Sequence, residues 1–239
     1  MYKTQPSHVG ELHHESIATK LNALRAAVLG ANDGIISLAS LVVGVAGATQ
    51  TSNTILITGV AGLLAGALSM AVGEYVSVSS QRDTEQALLA KEKHELEHNS
   101  ESELHELIEI YEKKGLQPDT ARLVAQELTT HDAFRAHVDA ELGIDPNNLT
   151  SPWQAAFASA LSFTLGAAIP LCAIILPPYA YRLPVTFIAV FVALVLTGIL
   201  SARVSGARIV PVTVRVVLGG IIAMAVTFGI GTLIGGTVA

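Results

Sequence analysis

The chain has 239 residues, of which 51% are hydrophobic and only 14% are charged, and its mean hydropathy is +0.51. A soluble domain of ordinary composition carries about 25% charged residues. The composition therefore excludes an ordinary soluble protein and predicts a membrane protein. Basic tracts for nucleic acid, a phosphate-binding loop and a nucleophile–base set are all missing from the sequence, so we expect neither nucleic-acid binding nor an enzyme. The lone cysteine, Cys172, is predicted to be a small buried packing residue.

Five apolar segments are long enough to cross a bilayer as helices, which requires about 20 residues each. They cover residues 26–48, 55–78, 153–176, 184–204 and 212–236. The predicted fold is an all-α membrane protein with a polar N-terminal tail (1–22), transmembrane helices 1 and 2 (23–80), an inserted acidic domain (81–151) and transmembrane helices 3 to 5 (152–239). The second helix is expected to continue beyond the membrane into the acidic domain.

The positions of Lys and Arg predict the orientation in the membrane, because cytoplasmic loops are enriched in them. Lys20 and Arg25 precede the first span, and Arg203, Arg208 and Arg215 surround the connection between the last two. This pattern predicts a cytoplasmic N-terminus and acidic domain, with the C-terminus outside.

Small residues one helical turn apart predict close contact between helices in lipid. They occur in three series: Gly62 and Gly66, Gly231 and Gly235, and Gly198, Ala202 and Gly206. Since five helices make a thin bundle for enclosing a polar route, we expect a homodimer with that route near the subunit interface.

The inserted domain carries most of the acidic charge. Residues 81–151 contain 7 Lys/Arg and 16 Asp/Glu, a net charge of −9, against −6 for the whole chain. Three helices are predicted: about 82–98, a second from Ser100 to Lys113–Gly115, and a third from Pro118 to near Gly143. The spacing of Ser100 and Glu103 is that of a capping box.

Two carboxylates interrupt the apolar spans. Asp33 lies within the first span and Glu74 at the end of the second, and a charge at the centre of a span costs roughly 2.5–3.5 kcal/mol on insertion scales. Asn32 beside Asp33 and Met70 one turn before Glu74 could add an amide and a thioether. A cation pathway is our interpretation; a hydrogen bond or salt bridge between helices is the alternative. Since burial favours a protonated carboxyl and metal binding needs the deprotonated form, proton–metal exchange is expected.

Acidic and imidazole side chains in the inserted domain are paired at helical spacing. Residues three or four apart share a helix face, and like charges there repel unless a cation offsets them. The candidate metal ligands are Glu92, Glu95, Glu103, Glu106, His137 and Glu141. Oxygen and imidazole ligands suit Fe²⁺, Mn²⁺, Co²⁺ or Zn²⁺. A solvated glutamate-rich face is the alternative. We expect no prosthetic group, and we expect the metal ion to be the transported substrate.

Four stretches of sequence resemble the vacuolar iron transporter family. They are Gly-Ala-Asn-Asp-Gly at 30–34, Ser-Met-Ala-Val-Gly-Glu-Tyr-Val-Ser at 69–77, Ile-Tyr-Glu-Lys-Lys-Gly-Leu at 110–116 and Ala-Ala-Phe-Ala-Ser-Ala-Leu-Ser-Phe at 155–163. The resemblance covers about residues 22–236.

This resemblance implies five-span subunits that form dimers and move Fe²⁺ and related divalent metals out of the cytoplasm in exchange for protons. It further implies that Asp33 and Met70 are pathway ligands and that the cytoplasmic domain binds metal through its glutamates. The sequence departs from some members, which carry two methionines where this chain has His137 and Val138. A short chain with a brief tail fits a bacterial plasma membrane.

Two other functions are compatible with the same ligands. A membrane-anchored di-iron oxidase would use E-x-x-H pairs, of which Glu95 and His98 supply one in the domain and Glu11 and His14 another in the tail. A non-transporting sensor would bind metal without any flux. The paired acids within the spans favour the metal–proton antiporter.

Overall fold

The computed structural model describes the backbone of residues 14–238 and the side chains of residues 27–236. All the regular secondary structure in this part of the chain is helical, and it contains no strands. The helices are α1 (His14–Ala48), α2 (Ser52–His98), α3 (Ser100–Lys113), α4 (Pro118–His137), α5 (Pro152–Ile175), α6 (Arg182–Ser205) and α7 (Ile209–Val238). A π-helical turn, Val138–Leu142, follows α4, and a 3₁₀ turn, Tyr179–Tyr181, precedes α6.

Five helical stretches are long and apolar enough to cross a membrane, as the sequence predicts. They are Ala27–Ala48, Ser52–His98, Pro152–Ile175, Tyr179–Ser205 and Ile209–Gly236. The expected continuation of the second span is confirmed, because α2 is one helix of 47 residues. Within the predicted polar tail, 1–22, the backbone is helical from His14 onward, and residues 1–13 lie outside the described part.

The chain divides into two compact units. The membrane unit comprises Met1–Glu74 and Trp153–Ala239, and the acidic unit comprises Tyr75–Pro152. Helix α2 contributes to both, so the acidic unit contains the end of α2 together with α3 and α4.

Helix α1 supplies buried residues to two clusters of the membrane unit. One contains Ile35, Ala39 and Val43 packed with residues of α6 and α7. The other contains Leu38 and Val42 packed with residues of α2 and α5, including Phe163. Since neighbouring residues of α1 belong to different clusters, its rotation about its own axis is fixed by packing on two sides.

Glycines allow α1 to approach α7 and α5 at backbone distance. A Cβ on Gly231 would meet the Gly44 carbonyl, and one on Gly34 would meet the carbonyl of Phe163. Small residues have this role in membrane helices, where close approach replaces a hydrophobic driving force. The sequence predicted that Gly231 and Gly235 of α7 form a close-contact face, but not that α1 is its partner. The contact of α1 with α5 was not predicted.

The other two predicted small-residue series are confirmed only in part. Hypothetical Cβ atoms on Gly62 and Gly66 meet the side chains of Leu41 and Phe163 rather than a backbone. In the third series, a Cβ on Gly198 would meet the backbone of Thr213, as the prediction requires, and Ala202 is buried. A Cβ on Gly206 would meet no described residue; this glycine ends α6 with φ of +66°, a left-handed conformation that glycine adopts without strain.

Cys172 is exposed at the surface of the single chain, so its prediction as a buried residue is wrong. The buried stripe of α5 includes Phe163 and Ala167, whereas Cys172 shares an exposed stripe with Leu165 and Leu176. In a membrane protein an apolar outer face is compatible with burial in lipid, which explains why an apolar run did not indicate a protein core.

In the acidic unit, α3 and α4 pack through a small core of Leu107, Ala121, Ala125 and Val138. The chain reverses between them at Gly115, with φ of +100°, and the π-helical turn ends at Gly143, with φ of +62°. The predicted start at Pro118 is confirmed; the chain stays helical until Gly143 as predicted, but α4 itself ends at His137 and the last residues form the π-helical turn.

The predicted capping box at the start of α3 is wrong. Ser100 is the first helical residue, and the preceding Asn99 makes no hydrogen bond through its side chain to the helix. Glu103 is buried, only 6% exposed, so its carboxylate is turned away from the position a capping box requires.

Candidate metal-binding sites

Four acidic and imidazole side chains meet in the acidic unit. Glu92 comes from α2, Glu103 from α3, His137 from the end of α4 and Glu141 from the π-helical turn. Glu92 is 3% exposed and His137 is fully buried, which is exceptional for titratable groups. We call these four residues the acidic centre.

Distances within the acidic centre are those of a site that could close around one ion. Nδ1 of His137 lies 3.2 Å from Oε1 of Glu92 and 3.9 Å from Oε2 of Glu103. One ligand atom each from Glu92, His137 and Glu141 lie within 4.8 Å of one another. Since metal–ligand bonds measure about 2.0–2.2 Å, a small inward movement of the exposed Glu141 would bring all three atoms onto a single cation.

Three buried atoms of the acidic centre have no hydrogen-bond partner. Among the described residues, neither ring nitrogen of His137 has a hydrogen-bond partner. Oε1 of Glu92 has none either, because its short approach to Nδ1 does not meet hydrogen-bond geometry. A buried polar group left without a partner costs about 1–3 kcal/mol. These atoms are therefore available as ligands.

Burial and like charge shift the pKa values in this centre. Burial, followed by the negative charge of Glu141, raises the pKa of Glu92 to about 7. Burial and the charge of Glu106 raise the pKa of Glu103, and burial lowers the pKa of His137 below its ordinary value. The arrangement thus disfavours the charged forms of Glu92, Glu103 and His137, and a divalent cation would offset the repulsion among the carboxylates.

The other two predicted ligands take different positions. The Glu95 carboxylate is 2.9 Å from the ammonium group of Lys91, and Glu106 is exposed. Both nevertheless act on the centre through their charge, since each contributes to the raised pKa of Glu103. The role of all six residues as metal ligands stays a prediction.

A break in α4 sets the direction of the segment that carries His137. Asp132 has φ of −161° and ψ of 93°, which is not helical, and its carboxylate accepts a hydrogen bond of 3.0 Å from the backbone N–H of Arg135. Asp132 is thus the N-cap of a new helical segment. The break was not predicted from the sequence; the signal for it is Asp132 itself, a residue type favoured at N-caps, within an otherwise helical pattern.

The membrane unit contains a cavity of about 210 Å³ lined by α1, α2 and α5. Asp33 and Met70 both line it, together with Phe163. The hydroxyl residues Ser37 and Ser69 add two further polar groups that the sequence analysis missed, although Ser37 is one turn from Asp33 and Ser69 is next to Met70. The cavity therefore combines a carboxylate, a thioether and hydroxyls.

Asn32 and Glu74 are not among the described residues that line this cavity. The Asn32 side-chain oxygen accepts a hydrogen bond of 3.4 Å from the Thr197 hydroxyl, which ties α1 to α6. Glu74 is half-buried, one turn after Met70 on α2. The structure thus groups Asp33 with Met70 and gives Asn32 a contact between helices.

The VIT family model matches residues 24–232. The chain belongs to the VIT family. A vacuolar iron transporter of Acanthamoeba castellanii is 42% identical over 229 residues, covering 95% of this chain and 84% of the relative. Vacuolar iron transporter homolog 4 of Arabidopsis thaliana is 41% identical (89% and 84% covered), and homolog 5 of Oryza sativa subsp. japonica is 37% identical (94% and 86% covered).

Membership of the VIT family agrees with the resemblance found from the four motifs, and the relatives are named as transporters rather than enzymes. The half-site proposed for a di-iron oxidase has no support in the acidic unit. The Nδ1 atom of His98 lies 2.8 Å from the His94 carbonyl, and the residue is exposed rather than part of the acidic centre.

Proposed function

We propose that this VIT-family chain transports a divalent transition metal, Fe²⁺ and also Mn²⁺, across the membrane. The observation that carries the proposal is the placement of Asp33 and Met70 on one cavity of the membrane unit. A carboxylate supplies charge to a divalent cation, and a thioether biases a site toward transition metals over Mg²⁺ and Ca²⁺. The names of the relatives support iron as the ion.

The acidic centre is the proposed capture site. Three carboxylates and one imidazole are an oxygen-rich donor set that suits Fe²⁺, Mn²⁺, Co²⁺ or Zn²⁺. The absence of hydrogen bonds to His137 and to Oε1 of Glu92, among the residues described, supports this role, because a ligand would satisfy atoms that the protein leaves unpaired.

Exchange with protons is the proposed driving reaction. A carboxylate must lose its proton before it binds metal, so metal binding releases protons. The pKa of Glu92, raised to about 7 mainly by burial, supports this coupling because the group would carry a proton near neutral pH when no metal is bound.

We further propose that the acidic unit faces the cytoplasm, that transport runs outward, and that two chains form a homodimer in a bacterial plasma membrane. The cluster of Arg203, Arg208 and Arg215 at one end of the spans supports the orientation. The exposed apolar residues of α2, such as Leu64, Leu68 and Val72, support a face that is covered by lipid or by a second chain.

The test is uptake of Fe²⁺ and Mn²⁺ into proteoliposomes with and without a pH gradient. Asp33→Asn is expected to abolish uptake while the purified protein stays monodisperse in detergent. Asp83→Asn, which removes an exposed carboxylate of α2, is the matched control and is expected to transport normally.

Three results would contradict parts of the proposal. Uptake by Asp33→Asn equal to that of the unchanged chain would remove the pathway assignment. Metal binding without any flux in the unchanged chain would favour the sensor function. Flux that does not respond to a pH gradient would remove proton exchange but leave metal transport in place.

A further inference from the structure

Two histidines lie side by side at the end of α2. The ring centroids of His94 and His98 are 4.0 Å apart, and both residues are exposed. Residues four apart share a helix face, and α2 ends at His98, so the pair occupies the last turn of the helix. The negative end of the helix dipole favours a cation at this position.

A hydrogen bond prepares His98 to act as a ligand. Its Nδ1 lies 2.8 Å from the carbonyl oxygen of His94. Because a carbonyl oxygen only accepts, the Nδ1–H group donates this hydrogen bond. In the neutral ring this hydrogen bond places the proton on Nδ1 and leaves the lone pair on Nε2. Histidines that bind metals are usually oriented in this way, with the second ring nitrogen donating to a carbonyl or a carboxylate.

We propose that His94 and His98 form a second metal site, a two-imidazole clamp on the surface of the acidic unit. Zn–N bonds of about 2.0–2.1 Å place two nitrogens of one ion roughly 3 Å apart, which exposed rings with centroids at 4.0 Å reach by small rotations. Imidazole ligands favour Cu²⁺, Ni²⁺ and Zn²⁺ and bind Mn²⁺ weakly.

The clamp differs in chemistry from the acidic centre. The acidic centre contains three carboxylates, two of them buried, and one buried imidazole, whereas the clamp is exposed and offers two imidazole nitrogens. The clamp therefore takes the ions that nitrogen ligands prefer, and it does not depend on the proposed transport function.

The experiment uses the full chain in detergent, stripped of metal and without any purification tag, with Ni²⁺ and Cu²⁺ as probes. Calorimetry of the unchanged chain is expected to detect about one Ni²⁺ equivalent more than the double variant His94→Gln/His98→Gln, following the preference of imidazole for Ni²⁺. Each single variant is expected to lose the same equivalent, because the clamp needs both rings. Electron paramagnetic resonance of bound Cu²⁺ should show nitrogen splitting that the double variant loses.

The control is the double variant His105→Gln/His131→Gln, which removes two exposed histidines from separate helices, α3 and α4. It is expected to keep the Ni²⁺ equivalent. The clamp is refuted if His94→Gln/His98→Gln binds Ni²⁺ as the unchanged chain does, or if the control loses as much. The difference of one Ni²⁺ equivalent between the unchanged chain and His94→Gln/His98→Gln should persist when both proteins also carry Glu92→Gln. Fe²⁺ flux should persist in His94→Gln/His98→Gln, so failure of either proposal is recognised separately.

Discussion

The Nδ1 atom of His137 lies 3.2 Å from Oε1 of Glu92, and neither atom has a hydrogen-bond partner in the described part of the chain. The two residues come from different helices, α4 and α2, so the fold brings them together without letting them satisfy each other. Such a pair lowers the stability of the protein without metal and raises its affinity for a cation.

Replacement of His137 by Leu should change metal binding and stability in opposite directions. Without metal, His137→Leu removes two buried unpaired nitrogens, so the free energy of unfolding should stay equal or rise by about 1–3 kcal/mol. The increase in melting temperature that Mn²⁺ produces in the unchanged chain should disappear. Thermal unfolding in detergent, with chelator or with Mn²⁺, measures both effects.

The control for this substitution is His131→Leu, since His131 is an exposed histidine of the same helix. It should leave the response to Mn²⁺ unchanged. A loss of stability in His137→Leu without metal would mean that the imidazole is already satisfied, and the argument for a ligand at this position would fail.

The stability conferred by Glu92 should depend on pH in a defined direction. Burial, followed by the charge of Glu141, raises the pKa of Glu92 to about 7 from an ordinary value of 4.5. Between these values the folded chain holds a proton that the unfolded chain has released. The contribution of Glu92 to folded stability is therefore fully present below pH 4.5 and is lost as the pH rises to about 7.

Glu92→Gln carries no such proton, so the variant isolates this contribution. With chelator present, its melting temperature relative to the unchanged chain should be higher at about pH 8 than at about pH 5. The lowered pKa of His137 works in the opposite direction but is present in both proteins, so the comparison removes most of its effect. A difference between the two proteins that does not vary with pH would contradict the raised pKa.

Asp132 should control the metal affinity of the acidic centre without being a ligand. Its carboxylate caps the segment that carries His137 and Glu141. Asp132→Ala should destabilise the acidic unit by about 0.5–2 kcal/mol and weaken Mn²⁺ binding, whereas Asp132→Asn should keep most of both because an amide oxygen also caps. Calorimetric titration of the two variants with Mn²⁺ measures the effect; equal binding by Asp132→Ala would show that the cap does not position the ligands.

Met70 should influence which metals are transported. Its thioether lines the cavity with Asp33, so Met70→Leu should reduce uptake of Fe²⁺ relative to the unchanged chain by removing a soft ligand. Met224→Leu makes the same chemical change at a buried position of α7 and should transport normally. Competitive uptake of Fe²⁺ and Mn²⁺ in proteoliposomes measures the change, and an equal effect of both variants would indicate a packing role for Met70.

The helices and much of the acidic centre were predictable because their signals are local. Apolar length gives the five spans, glycine and proline give the bounds near Gly115 and Pro118, and helical spacing pairs His137 with Glu141. The grouping of Glu92 with Glu103 and His137 also followed from treating each helix as the donor of ligands to a common point.

The features that were missed depend on contacts between distant segments. Glu103 matched a capping box locally, but its carboxylate is drawn into the acidic centre instead. Likewise, the exposed position of Cys172 follows from which stripe of α5 packs inward, and an apolar sequence has too little polarity to mark that stripe.

The stretch Gly-Ala-Asn-Asp-Gly at residues 30–34 illustrates how a motif can serve packing and chemistry together. Its two glycines lie one turn apart on the side of α1 that meets α5, while Asp33 lines the cavity. A Cβ at Gly34 would meet the Phe163 carbonyl and lie 3.0 Å from the Ala167 nitrogen, both of them backbone atoms that cannot move aside alone.

Gly34→Ala should therefore destabilise the membrane unit. Overpacking costs about 1–3 kcal/mol, and the helix propensity gained by replacing glycine with alanine, about 1 kcal/mol, offsets only part of it. Gly219→Ala is the matched control, since a Cβ at that exposed position of α7 has no neighbour within 4 Å and the same gain in propensity is unopposed. Melting temperatures in detergent should fall for Gly34→Ala and stay equal or rise for Gly219→Ala. If both variants melted alike, Gly34 would not be needed for the close approach of α1 to α5. The placement of Asp33 on the cavity would then need another explanation.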